Sequence, residues 1–155
     1  MARQVFENQM KVYHNATGVT DLAAPTVAEI TTDATDITDQ ITADGVQFNF
    51  NNNTASVDML AEGKILQRPG TRGLSVTLTA VRDDTTDDFW DEFAYGQEGD
   101  LIISPFGVPV ASDEVYVVRG AAQEPQPQAS SANTFQQAQV EFPATDWNFK
   151  ATVAV

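Results

Sequence analysis

His14 is the one histidine among 155 residues, so any Ser–His–Asp triad or histidine-based metal centre must be built on it. It stands in a polar stretch near the N-terminus with no nucleophile motif beside it, and reads as a surface side chain. Cysteine is absent, which excludes disulfides, thiolate zinc sites, iron–sulfur clusters and a cysteine nucleophile, and leaves the redox compartment open. Asp33, Asp36 and Asp39 come nearest to a hard-cation site. Their spacing of three departs from the alternate positions of a calcium loop, and the turn glycine is missing. The neighbouring carboxylates Asp83/Asp84 and Asp87/Asp88 could in principle serve as general acid and base. Glycoside hydrolysis needs two carboxyls converging on a cleft, however, and neighbours in sequence point apart. Gly70 and Gly73, with Pro69, lack the spacing of a phosphate loop and a following helix. Asn15-Ala16-Thr17 and Asn52-Asn53-Thr54 fit the glycosylation tripeptide, which matters only in a secreted eukaryotic protein. The expectation is a protein without catalytic residues, cofactor or metal.

The charge balance narrows the partners. Twenty-two acidic side chains against eight basic ones give a formal charge of −14, which opposes binding to phosphate backbones and anionic membranes. No Lys or Arg occurs between Lys11 and Lys64, and Asp83 to Asp100 repeats the bias. An acidic surface of this kind keeps a protein soluble, and it also repels nucleic acid. The start, MARQVFEN, has no apolar run, and the most apolar stretch, Leu101 to Ala111, is short and contains Pro105 and Pro109. Neither reads as a signal peptide or membrane anchor, so a soluble, intracellularly made protein is expected. Residues 1–155 fit a single domain, large enough to bury a core without a covalent staple.

Period-2 alternation dominates after residue 44. Val46, Phe48 and Phe50 alternate with Gln47, Asn49 and Asn51. From Gly73 to Asp83, Leu74, Val76, Leu78 and Ala80 share one face, with Ser75, Thr77 and Thr79 opposite. That alternation spans about ten residues, or ~33 Å, nearly twice a typical strand. Further strands are expected at 113–121, 134–142 and 147–155, the last with Trp147, Phe149, Ala151, Val153 and Val155 on one face. Gln136, Gln137 and Gln139 make the second of these polar on both faces, which suits a strand between solvent and a neighbour. One amphipathic helix is expected at 86–95, capped by Thr85 or Thr86, closed by Gly96, and burying Phe89, Trp90, Phe93 and Ala94, with Asp87, Asp88, Asp91 and Glu92 outward. The stretch 51–72 reads as a long loop carrying Lys64, Arg68 and Arg72, and a loop of that length is functional or disordered. EPQPQASSAN, 124–133, reads as a mobile hairpin tip. PTVAEI suggests a short strand, and TTDATDITDQITADG a polar turn or weak helix.

In this order the segments resemble the phage major tail protein, or tail tube protein. They are an acidic N-terminal region ending ITADGVQF, a long hairpin with a basic loop, a strand entering DDTTDDFWDEFAY and then DLIISPF, a second hairpin with a Pro-rich tip, and WNFKATVAV. The resemblance covers most of the chain and rests on architecture. It implies a mainly β fold, a β-sandwich or partial barrel with one flanking helix. It further implies homo-hexameric rings whose long hairpins join into an oligomeric β-barrel, stacked through an extended loop and terminal arms. The partners would be other copies, other tail proteins at the tube ends, and viral DNA in transit through the lumen, with no membrane. The setting would be the virion tail, assembled in the host bacterial cytoplasm. The physical reading meets this at three points. Overlong strands have edges that a neighbour must pair. Gln47, Asn49, Ser75, Thr77, Thr79, Gln137 and Gln139 supply a polar lumen face without Lys or Arg. Lys64, Arg68 and Arg72 in 51–72 supply an inter-ring contact to acidic surface. A surface β-sandwich adhesion domain, a capsid decoration protein and another tube-forming protein share the same pattern.

Overall fold

The computed structural model describes residues 10–59, 63–82, 88–128 and 136–155. Its elements are β1 (Lys11–Asn15), α1 (Val27–Thr31), β2 (Thr35–Asp36), a 3-10 turn (Thr38–Gln40), β3 (Ile41–Met59), β4 (Lys64–Val81), α2 (Asp88–Glu92), β5 (Glu98–Ser104), β6 (Glu114–Ala121), β7 (Gln126–Gln128) and β8 (Gln137–Thr152). The eight strands form one antiparallel sheet, not closed into a barrel, in the order β2-β1-β5-β6-β8-β4-β3 with β7 beside β8. The mainly β expectation holds.

The sheet bends because β8 changes partner halfway. Its first half pairs with β4, from Gln137↔Val81 to Pro143↔Ser75, and its second with β6, from Ala144↔Gly120 to Thr152↔Glu114. Pro143 donates no ladder hydrogen bond, so the strand turns there at little cost. Gly120 permits the close approach: a Cβ on it would lie 2.1 Å from the Pro143 carbonyl oxygen. The two half-sheets then face each other across one core. Leu74, Val76, Leu78, Ala80, Val140 and Phe142 from the first half meet Val12, Leu101, Ile103 and Val118 from the second, and Phe89 and Phe93 plug the side. Burying each such side chain is worth about 1.5–3 kcal/mol.

The second half-sheet is buried on its outer face too. Tyr13, Ile102, Val115, Val117, Ala151 and Val153 pack there against Ile30 of α1 and Val19. This explains the run DLIIS, which does not alternate: a strand covered on both faces is apolar throughout.

Several sequence expectations are corrected. PTVAEI is not a strand. Thr26 accepts from the Glu29 backbone N–H, and Glu29 accepts from the Thr26 backbone N–H, a capping box that starts α1. Among the described residues there are therefore two short α-helices, not one. The strands expected at 134–142 and 147–155 are one strand within the described residues, and a bulge divides the face expected for the latter. Two residues of β8 lie between Asn148 and Ala151 against one of β6 between Val117 and Val115. Trp147 and Phe149 consequently join the first core and Ala151 and Val153 the second, while Val155 is exposed. In the expected helix, Asp88–Glu92 is helical, Phe89 and Phe93 are buried, and Ala94 is exposed. Gly96 has the left-handed conformation expected of it, at φ +77°. Thr85, Thr86 and Asp87 lie outside the described residues, as do Asp83 and Asp84. Gln126–Gln128 of the expected hairpin tip folds back as a strand on β8, and 129–135 also lie outside.

Candidate assembly surface

The largest departure from the sequence reading is at 51–72. It is not a loop but the outer half of a hairpin, in which β3 and β4 stay paired from Phe50↔Leu74 to Met59↔Lys64, with one irregularity between Asn52 and Thr54. Gly63, at φ +59°, leads the chain into β4. Beyond Ser75 β4 has lost β8 as a partner, so the hairpin projects as a two-stranded arm whose described residues from Asn51 outward are exposed. Turn residues mark a loop in sequence, and Asn51-Asn52-Asn53 and Pro69-Gly70 supplied that signal within paired strands.

At the root of the arm, β3, β4 and β8 present a polar face. Cross-strand partners line it in rows: Asn49 opposite Ser75, Gln47 opposite Thr77 and then Glu141, Thr79 opposite Gln139, and Val81 opposite Gln137. All seven residues singled out from sequence fall on this one face. Asn49 Nδ2 donates to Thr77 Oγ1 at 3.1 Å, Ser75 Oγ to Glu141 Oε1 at 3.1 Å, and Gln128 Nε2 to Gln139 Oε1 at 3.3 Å. Among the described residues of 46–51, 73–81 and 137–141, this face carries no Lys or Arg and one carboxylate, Glu141. The opposite face, with Phe48, Val76, Leu78, Val140 and Phe142, lies on the core.

The three basic residues do not form a cluster. Lys64 lies opposite Met59 at the end of the arm, Arg68 opposite Ala55 and Arg72 opposite Asn52. Ala55 has the parity of Gln47 and Asn49, whereas Asn52 has that of Phe48 and Phe50, so Arg68 and Arg72 leave opposite faces of the ribbon. The Arg72 guanidinium lies over the Trp147 ring, 5.5 Å from its centroid, and braces the arm against β8.

Several other charged and polar residues hold the fold together. His14 is fully buried in β1, not on the surface. Its Nδ1–H donates to Glu92 Oε1 at 2.7 Å, and its ring packs 4.7 Å from that of Phe93. Glu92 therefore points inward, contrary to expectation. Asn15 is buried and binds Thr17, Gly18 and the Glu29 carbonyl, so it is no glycosylation acceptor. Asp36 accepts from the backbone and hydroxyl of Thr38. Asp100, buried on β5, accepts from Arg119 Nε and Nη2 at 3.0 and 3.1 Å and from the Val19 backbone N–H. That hydrogen bond with Asp100 holds the Arg119 guanidinium above its ordinary range, and its Nη2 also reaches the Val19 carbonyl at 2.7 Å. Register Asp100↔Arg119 makes them direct cross-strand partners, a relation invisible until β5 and β6 are aligned.

Several solved structures resemble this fold. The sheath-tube complex of an extracellular contractile injection system aligns with TM-score 0.61 at 12% identity, covering 97% of this chain and 93% of that one. The tube-terminating cap of the anti-feeding prophage aligns with TM-score 0.60 at 13% identity, over 98% and 95% of the two chains. The tail of an empty GTA particle, obtained by helical refinement with C6 symmetry, aligns with TM-score 0.56 at 16% identity, over 92% and 96%. No curated protein matches the chain. The family model for phage tail tube protein matches residues 1–155, and the chain belongs to that family of structural, non-enzymatic tail components.

Proposed function

We propose that six copies of this chain close into a ring, that rings stack into the tail tube, and that viral DNA passes through the lumen. The observation that carries this reading is the edge of β3. Among the described residues it ends the sheet, and it runs for 19 residues and contains no Lys, Arg or Pro. Soluble proteins blunt such edges with those residues or cover them, and an unprotected one recruits another chain. The other edge of the same half-sheet is β7, three residues long. β3 of one copy meets the β7 side of the next, a head-to-tail contact that repeats until the ring closes. The six-fold count is supported by the C6 symmetry of the similar GTA tail.

In that ring the face of Gln47, Asn49, Ser75, Thr77, Thr79, Gln137 and Gln139 lines the channel. Amides and hydroxyls keep it wetted, and its described residues include one carboxylate, Glu141, and no cation, which leaves DNA nothing to bind. The arm crosses to the next ring, where Lys64 and Arg68 meet its acidic surface, while Arg72 holds the arm's root. Other tail proteins meet the tube ends, and the tube is built in the host bacterial cytoplasm without a membrane.

Helical reconstruction of tubes grown from the purified full chain tests this. The expected map has six subunits per ring, the Gln47–Thr77–Glu141 row on the inner wall and β3 paired with a neighbour. A map with that row on the outer wall overturns it.

A further inference from the structure

Phe50 is 52% exposed on edge strand β3, although it shares the core-side face with Phe48. The Phe149 ring, 5.8 Å away, supports one side of it. A strand added to that edge would meet this side chain first.

Beside β7, at the other edge of the same half-sheet, is an open groove walled by Trp90, Tyr95, Pro125 and Pro127. The Arg82 guanidinium stacks over the Trp90 ring, 4.2 Å from its centroid, and Tyr95 is 81% exposed. Backbone bonds hold the groove in shape: the Gly96 N–H donates to the Ala122 carbonyl at 2.8 Å, the Ala122 N–H to the Gln97 carbonyl at 2.8 Å, and the Gln123 N–H to the Glu141 carbonyl at 3.0 Å.

We infer that Phe50 of one copy inserts into the groove of Trp90, Tyr95, Pro125 and Pro127 on the next copy in the ring. This rests on the tube reading and names the side chain and the groove that join neighbours. The faces agree. Pro127 lies opposite Ala138, a core residue, so its ring is on the core-side face, as Phe50 is.

The directions agree as well. β3, β4, β8 and β7 are antiparallel in turn, so β7 runs opposite to β3 in every copy and the two edges meet as an antiparallel pair. The Gln123 to Glu141 bond shows that the odd residues of β8 bond toward β7, so Gln126 and Gln128 are used on β8. The Pro127 carbonyl then points outward with no N–H beside it. Such an edge cannot pair with a second β7, but it accepts from the outward N–H groups of β3, which makes the contact head to tail.

The heights agree once the ring is closed. Within one copy, Gln126 lies opposite Gln139 and Gln139 opposite Thr79, one residue from the Leu78↔Val46 pair, so β7 is level with the chain just before Val46. Strands in a closed barrel tilt, and across these four the tilt shifts a neighbour by about 13–19 Å along the strands, or roughly four to six residues. The Arg82 N–H donates to the Gln136 carbonyl at 2.9 Å, so the core-facing residues of β4 bond toward β8. For L-residues this sets β4, β8 and β7 to the left of an upward β3 seen from outside the ring, and the next copy's β7 to its right. Right-handed coiling raises a neighbour on that side. β7 of the next copy therefore comes level with residues 49–51, and Phe50 faces its groove.

The chain has no cysteine, so introduced thiols report the contact without background. In assembled full-length protein, a short bismaleimide should join Phe50→Cys to Tyr95→Cys of the next subunit in the double variant, giving a covalent ladder that ends at six on a denaturing gel. Asn49→Cys with Tyr95→Cys, which moves the first thiol to the polar face, should give none. Phe50→Ala should keep the parent's circular dichroism and raise the concentration at which rings appear on the order of tenfold or more, complete loss of rings being the stronger form of that result. Rings of the Phe50→Cys, Tyr95→Cys chain that do not cross-link, equal cross-linking of the Asn49→Cys pair, or Phe50→Ala rings at the parent's concentration overturn the inference and leave the tube reading standing. A parent that makes no rings at any concentration refutes the tube reading, and the inference with it.

Discussion

His14 Nδ1 lies 2.7 Å from Glu92 Oε1, 78 positions away, and this bond pins α2 across the open side of the core. Glu92→Ala leaves a buried imidazole with neither nitrogen partnered, since among the described residues Nε2 has no partner already. The expected loss is about 1–3 kcal/mol, seen as a drop of several degrees in Tm. His14→Phe with Glu92→Leu removes both polar partners and should recover most of it. Equal melting of Glu92→Ala and parent would show that the contact does no work.

Arg119 and Asp100 tie β6 to β5 and to the Val19 segment. Arg119→Ala strands a fully buried carboxylate, while Arg119 itself stays partly in solvent. The cost should be about 2–3 kcal/mol, below that of a wholly buried pair. Arg119→Lys loses the two-pronged geometry and should fall between. Urea titration measures both, and a neutral Arg119→Ala contradicts the assignment.

The capping box of α1 makes stability depend on pH in a stated direction. Burial pushes the Glu29 carboxyl up, but hydrogen bonds from the backbone and hydroxyl groups of Thr26 and Thr20 outweigh it and hold it below its ordinary value of 4.5. A carboxyl lowered on folding stabilises above its unfolded value, and that contribution vanishes as pH falls through the folded one. Parent minus Glu29→Gln should therefore be positive and flat at neutral pH and shrink below pH 4.5. A difference that grows with acid contradicts it. Thr26→Ala should cost about 1 kcal/mol at neutral pH.

The bend in β8 depends on Gly120. Gly120→Ala sets a methyl 2.1 Å from a backbone oxygen, which no rotamer relieves. The half-sheets must move apart, at a cost of about 3 kcal/mol or more. Gly63→Ala is the control: its Cβ meets nothing, though φ is +59°, so only the modest left-handed strain of about 1 kcal/mol is expected. Similar melts for the two variants would contradict the bend.

Much of the surface that matters was legible because alternation reports which face a strand buries. Gln47 to Asn51 and Gly73 to Val81 declare their polar and apolar sides locally, so Gln47, Asn49, Ser75, Thr77 and Thr79 could be named from alternation alone, while Glu141 of the same face was missed. The arm was not legible, since a paired ribbon exposed on both faces has no reason to alternate, and its turn-forming residues imitate a loop. α1 was missed although T-x-x-E stood at Thr26–Glu29. Val27 and Ile30 suggested a strand, and five residues are too few to show helical periodicity. The burial of His14 and the pairing of Asp100 with Arg119 are products of topology, which joins segments tens of residues apart. No local pattern announces them.

Electron microscopy of the concentrated full chain bears most directly on the central claim, that the unprotected β3 edge and the projecting arm drive self-assembly into a tube. Rings and hollow tubes are predicted, with arm-deleted chains lacking Ala55 to Arg68 arrested as rings. Monodisperse single subunits at high concentration, or full-length tubes from the arm-deleted chain, would contradict it.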